Sequence, residues 1–184
     1  MTEPTFSLHA LRVTDLPQNR ESRFELRPSA AEMAMIATEL GLDGLRKLSF
    51  SGAIRGEGKR DWLLTATLGA TVKQACVVTL EPVVTRIDEP VSRRFLTDLP
   101  DQSGADEVEL PDDDTIEPLG SHIDPWAVMI EALALAMPQY PRAEGANLGE
   151  ANFAEPGIAP MRDEDTKPFA GLAALRDKLG KSDK

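Results

Sequence analysis

One cysteine, two histidines, one tyrosine and two tryptophans are spread over 184 residues, and basic side chains are outnumbered by acidic ones, 20 to 31. A single cysteine excludes an intramolecular disulfide. His9 and His122 lie far apart, and no H-x-x-x-H or H-E-x-x-H spacing occurs. A metal held by Cys76 and both histidines is therefore outweighed by a buried thiol and two surface or loop imidazoles. No G-x-G-x-x-G, G-x-x-x-x-G-K-[ST] or G-x-S-x-G is present, so neither a phosphate-cradling loop nor a nucleophile elbow is supported. No apolar run approaches the ~20 residues of a membrane span. The opening MTEPTFSLHALRV has no basic region followed by an apolar one, so no signal peptide is expected and the chain reads as cytoplasmic. The net charge is −11 and the pI about 4.7. Such a chain repels phosphate backbones unless basic residues are locally focused, and basic proteins are its more natural partners.

What is present is one dominant pattern, running from Asp61 to Leu96. Trp62, Leu64, Ala66, Leu68, Ala70 and Val72, then Cys76, Val78 and Leu80, occupy even positions, while Thr65, Thr67, Thr71, Lys73 and Thr79 take the odd ones. A period of two places these sets on opposite faces of a strand. Gln74 interrupts the inner set. After Pro82 the apolar phase moves to odd positions, Val83, Ile87, Val91 and Phe95, with Thr85, Glu89 and Arg93 between them. Two long amphipathic strands around a short connection predict an antiparallel hairpin.

Phe6, Leu8, Ala10 and Val13 suggest a first strand, Arg23–Leu26 a second, and the alternation of Leu48, Phe50 and Ile54 a third. Ser29-x-x-Glu32 is a capping box opening a helix with Met33, Ile36, Ala37 and Leu40 on one stripe and Gly41 as its stop. Asp124 and Pro125 suit the N-cap and first position of a second helix. Val128, Met129, Ile130, Leu133, Leu135, Ala136 and Met137 cover most of its circumference, which predicts a central buried helix with Glu131 as its main interior charge and Pro138 beyond its end. Segregated strands and helices predict an α+β fold: a mainly antiparallel, curved sheet covered by helices at 30–40 and 125–137. Residues 1–141 form the domain. The segment 100–114 is acidic without Lys or Arg and reads as a mobile loop in preference to a carboxylate metal site, because Asp112-Asp113-Asp114 lacks the ligand spacing and glycine of an EF-hand. Residues 142–166 read as a flexible linker. In 167–184, Phe169, Leu172, Leu175 and Leu179 form an apolar stripe, predicting a C-terminal docking helix.

Nothing in the pattern assembles a catalytic constellation. Cys76 falls on the apolar parity, where a free cysteine usually acts as a small hydrophobe, so a cysteine-dependent enzyme is a minor alternative. Basic residues gather near the hairpin. Lys73, Arg86, Arg93 and Arg94 are candidates for contact with RNA phosphates, against the plainer reading of a solvated strand face. Trp62 and Phe95 have inward parities, so a base-stacking surface is not expected.

The hairpin connection Cys76-Val77-Val78-Thr79-Leu80-Glu81-Pro82 resembles the C-x-x-C-L-x-P core of the YceD-like family, the bacterial large ribosomal RNA subunit accumulation proteins. Thr79 stands where the second cysteine would be. The resemblance extends through Ile123-Asp124, Glu131, Leu135 and Pro138 of the second helix, and to Lys167-Pro168-Phe169 with Leu172 and Leu175. It implies a non-enzymatic role in accumulation of large-subunit ribosomal RNA, through a basic ribosomal protein or precursor ribosomal RNA as partner. A generic protein-interaction module is the alternative. Many relatives carry a second hairpin cysteine and a further Cys or His after the long helix. Here those places hold Thr79 and the cysteine-free PRAEGANLGE, so no metal or other cofactor is carried over and Thr79 is expected to hold the turn by hydrogen bonding.

Overall fold

The computed structural model describes residues 7–98 and 115–147, with 154 and 157. The chain divides into two compact units, Met1–Glu144 and Gly145–Lys184. The expected acidic loop at 100–114, Phe6, most of the linker and the C-terminal segment with Phe169 lie outside the described residues.

Seven strands and two α-helices are described in the first unit: β1 Leu11–Arg12, β2 Ser22–Leu26, α1 Ala30–Glu39, β3 Gly44–Glu57, β4 Asp61–Ala75, β5 Pro82–Leu96, β6 Ile116–Pro118, β7 His122–Ile123 and α2 Pro125–Ala136. A five-stranded sheet runs in the order β2-β3-β4-β5-β6, and β1 pairs separately with β7. All pairings are antiparallel except β5 with β6. The fold is α+β, as the segregated strand and helix patterns predict.

The β4–β5 hairpin is the frame. Its register sets Trp62 opposite Phe95, Leu64 opposite Arg93, Leu68 opposite Glu89 and Ala70 opposite Ile87. The even side chains of β4 face the core, where Trp62, Leu64, Leu68, Ala70 and Val72 are buried with Phe50 and Ile54 of β3, Ile36 of α1, and Met129 and Leu133 of α2. Fully burying one such side chain contributes roughly 1.5–3 kcal/mol. Gly52 lies where β3 and β4 approach closely. A Cβ there would sit 2.1 Å from the Thr65 carbonyl oxygen and 2.6 Å from Ala66, so only glycine fits.

Both helix caps form as their residues dictate. The Ser29 hydroxyl accepts from the Glu32 N–H at 3.3 Å, and the Glu32 carboxylate accepts from the Ser29 N–H at 2.7 Å. At the other end of α1, Leu42 N–H donates to the Ala37 carbonyl and Gly41 N–H to that of Thr38, with Gly41 at φ +65°; this is the Schellman closure. Asp124 caps α2 by accepting from the Trp126 N–H at 3.0 Å.

Three expectations are corrected. The first strand is only Leu11–Arg12, followed by a 3-10 turn at Val13–Asp15, and Leu8 is fully exposed. Apolar alternation alone formed no longer strand there because the partner, β7, offers two residues. Second, α2 is buried on one side: Val128, Met129, Ala132 and Leu133 are covered, whereas Leu135 is 74% exposed. Only one face of the helix meets the sheet, so apolar residues around the circumference do not all find cover. Third, the pleat does not continue past Ala75. Val78 is half-buried and Leu80 is exposed with φ +61°, because the chain has already turned.

Candidate functional site

The hairpin connection is a closed loop built around one sulfur. Cys76 N–H donates to the Glu81 carbonyl at 2.7 Å, and Leu80 N–H returns to the Cys76 carbonyl at 2.9 Å. The Cys76 side chain is wholly buried. Its Sγ accepts N–H bonds from Val78 and Thr79, both at 3.4 Å, and from Ala143 at 3.2 Å. The Thr79 hydroxyl also bonds the sulfur, and it accepts from the Glu81 N–H at 3.3 Å. These donors favour the thiolate. The Thr79 hydroxyl acts most strongly, then the N–H groups of Ala143 and Thr79, and they outweigh burial to bring the thiol from 9.0 down to about 6.

The same loop ties the hairpin to the chain after α2. Val77 N–H donates to the Pro141 carbonyl at 2.9 Å, and the Gln74 amide donates to the Pro138 carbonyl at 3.1 Å. Pro82, at the start of β5, pairs with Ala75. What surrounds the sulfur is a set of hydrogen-bond donors, not of metal ligands, and no group of three or more His, Cys, Asp and Glu suited to a metal occurs among the described residues. Cys76 is the single thiol of the chain, whereas a thiolate metal centre takes several soft ligands. Around this frame the chain exposes apolar side chains: Val77 at 48%, Leu80 at 78% and Tyr140 at 75%.

At the base of the hairpin, α2 is fastened by charge. Arg93, on the inward parity of β5, is buried and places Nη2 2.8 Å from Glu131 of α2 and Nε 3.2 Å from Glu117 of β6. Burial raises the Glu117 carboxyl above its ordinary range; Arg93 opposes this and Glu131 adds to it. Asp124 does more than cap α2. Its carboxylate also accepts from the Ser7 hydroxyl at 2.7 Å and the Ser7 N–H at 3.1 Å. Nearby, the His9 and Trp126 rings stack with centroids 5.1 Å apart.

The four basic candidates do not form one surface. Arg93 faces inward in its ion pairs. Arg94 pairs with Glu57 at 3.0 Å, bridging from β5 to β3 across β4 and over Leu63, which is buried on this outer face. Arg86 is held by Asp88, with Nε 2.8 Å from the carboxylate, and lies across Gly69. Lys73 is exposed at the opposite end of β4 from Leu63 and has no ion-pair partner among the described residues. Sequence reasoning missed Arg46 and Lys47, which stand beside this end of the hairpin. Their signal is a break in alternation, since Leu45 and Leu48 are both buried although three residues apart.

No helix among the described residues is long and apolar enough to cross a membrane. No curated protein and no solved structure is found to match the chain. A family model does: residues 64–176, more than half the chain, match the large ribosomal RNA subunit accumulation protein YceD. The matched stretch takes in nearly all of the β4–β5 hairpin, the sulfur-centred loop, the Arg93–Glu131 pair and α2. The chain therefore belongs to the YceD family of large ribosomal RNA subunit accumulation proteins.

Proposed function

We propose that this protein is a non-enzymatic accessory factor that supports large-subunit ribosomal RNA accumulation by binding a component of the assembling subunit, a basic ribosomal protein or precursor ribosomal RNA. The carrying observation is the hairpin connection inside the family-matched region. It is closed by its own hydrogen bonds, pinned to Pro141 and Ala143, and presents Val77, Leu80 and Tyr140 outward. A rigid frame holding exposed apolar and aromatic side chains suits recognition, because little ordering entropy is lost on binding. The acidic surface of a chain with net charge −11 complements basic partners.

The test is sedimentation of tagged protein with ribosomal precursors from growing cells. The wild type is expected in large-subunit precursor fractions, and Leu80→Asp with Tyr140→Asp is expected to leave them with the thermal stability retained. Free sedimentation of the wild type, or undiminished association of the variant, overturns the proposal.

The lowered Cys76 thiol is the one observation favouring the catalytic alternative. Its complete burial opposes it, since a nucleophile must reach its substrate. Alkylation of native protein is expected to be slow compared with unfolded protein. Fast native labelling would restore that alternative.

A further inference from the structure

β3 carries a bulge whose effect is to gather positive charge. Arg46 pairs with Thr71 and Ser49 with Gly69, so Lys47 and Leu48 together stand opposite Ala70 alone. Lys47 adopts φ +52°, a left-handed conformation that costs a non-glycine residue about 1 kcal/mol or more. The extra residue keeps Leu48 in the core at 4% exposure and leaves Arg46 and Lys47 as neighbouring exposed cations. In an unbroken strand, alternation would put 46 and 47 on opposite faces.

Two adjoining clefts open on this end of the sheet. One, about 510 Å³, is lined by Arg27, Lys47, Ser49, Thr71 and Arg86 among others. The other, about 320 Å³, is lined by Arg46, Thr71, Lys73 and Asp43 among others. Thr71 borders both. Arg27 and Arg86 are paired with Glu25 and Asp88, whereas Arg46, Lys47 and Lys73 have no ion-pair partner among the described residues. Gly69 leaves the space in which the Arg86 guanidinium sits, 2.8 Å from where a Cβ would be, beside the Ser49 hydroxyl. In a chain of net charge −11, a strained backbone residue that sets one unpaired cation beside another is a costly arrangement for solvation alone.

We propose that these two clefts bind the sugar-phosphate backbone of RNA, with Arg46, Lys47 and Lys73 as the phosphate contacts and the Ser49 and Thr71 hydroxyls as hydrogen-bond donors. Point cations and hydroxyls on an open sheet face, without aromatic platforms, suit phosphates rather than bases. The site rests on the reading of the protein as a large-subunit assembly factor and names the chemistry it recognises there. It moves the RNA contact away from Arg93 and Arg94, whose charges are spent within the fold.

The experiment uses full-length protein and a fluorescein-labelled transcript of precursor large-subunit ribosomal RNA, with anisotropy read across a salt series. Replacing Arg46 and Lys73 by Gln and Lys47 by Gly is expected to weaken binding about tenfold or more and to reduce the salt slope by about 1 per cation removed. Lys47→Gly relieves the φ +52° strain, so thermal stability should hold, which separates lost contacts from lost fold. A charge-matched control changes Arg12, Arg20 and Lys59, which line neither cleft, to Gln; it is expected to bind as the wild type does. Equal weakening of cleft and control variants would make the effect one of net charge and overturn the site. Wild-type protein that sediments with precursor particles yet ignores the transcript would overturn this site alone, leave the assembly reading standing, and point to a ribosomal protein as partner. Failure of both association measurements removes both.

Discussion

Replacing Arg93 by methionine keeps most of the aliphatic stem and removes the charge that joins β5 to α2 and β6. At about 3 Å and an effective dielectric near 20, each pair has a gross attraction of roughly 5 kcal/mol. Most of this is offset by desolvation of the guanidinium, whose side chain is only 10% exposed. Breaking a buried pair typically costs ~3–5 kcal/mol, but the Glu117 and Glu131 side chains are 37% and 47% exposed and regain water once freed. The expected loss is therefore about 2 kcal/mol. In urea, with a slope of roughly 1–3 kcal/mol/M, the midpoint should fall by about 1 M. Glu131→Gln leaves the Arg93–Glu117 pair and should cost only about 1 kcal/mol. The double variant should fall short of additivity, because both changes remove the same contact. The penalty of Arg93→Met should shrink in acid, where protonation of Glu117, whose carboxyl is raised by burial, removes a charge that Arg93 balances. An Arg93→Met midpoint equal to the wild type at neutral pH would refute the view that this pair fastens the helix.

Three further outcomes follow from the geometry. Because the folded Cys76 thiol lies near 6 against an ordinary 9.0, thiolate stabilisation is fully present above the unfolded value and is lost as pH falls through about 6. The stability gap between wild type and Cys76→Ala should widen with pH across that window, and native thiolate absorbance should titrate near its lower edge; a pH-independent gap would contradict this. Gly52→Val drives a side chain into the backbone of β4 and should cost about 3 kcal/mol or prevent folding, as thermal melting would show. Asp124→Ala removes the α2 cap and the anchor of Ser7. It should cost ~1–2 kcal/mol, and Asp124→Asn should recover part of it.

Local chemistry determined a large share of this protein from the sequence alone. The period-two runs of β4 and β5, the Ser29–Glu32 box, the Gly41 stop and the Asp124–Pro125 start each depend on near neighbours, and each formed where its residues stand. The spacing of family residues from the hairpin through α2 was likewise a linear property, which is why membership was legible before any fold was known. Tertiary structure decided what depends on partners distant in the chain. Arg93 reads as a cation interrupting the apolar parity of its strand, with no partner in view, until the fold brings Glu131, 38 positions away, to pair with it. Cys76 reads as a small hydrophobe until Ala143, 67 positions away, closes a ring of donors on its sulfur. Lys47 lies within the uneven Leu45–Leu48 spacing, but only the pairing with β4, which holds Thr71 and Gly69 against Arg46 and Ser49, makes that spacing a bulge with Lys47 beside Arg46. Pairing across the sheet is set by register over the whole strand, so its irregularities, and the charges they bring together, follow from the partner strand rather than from the residues next in line.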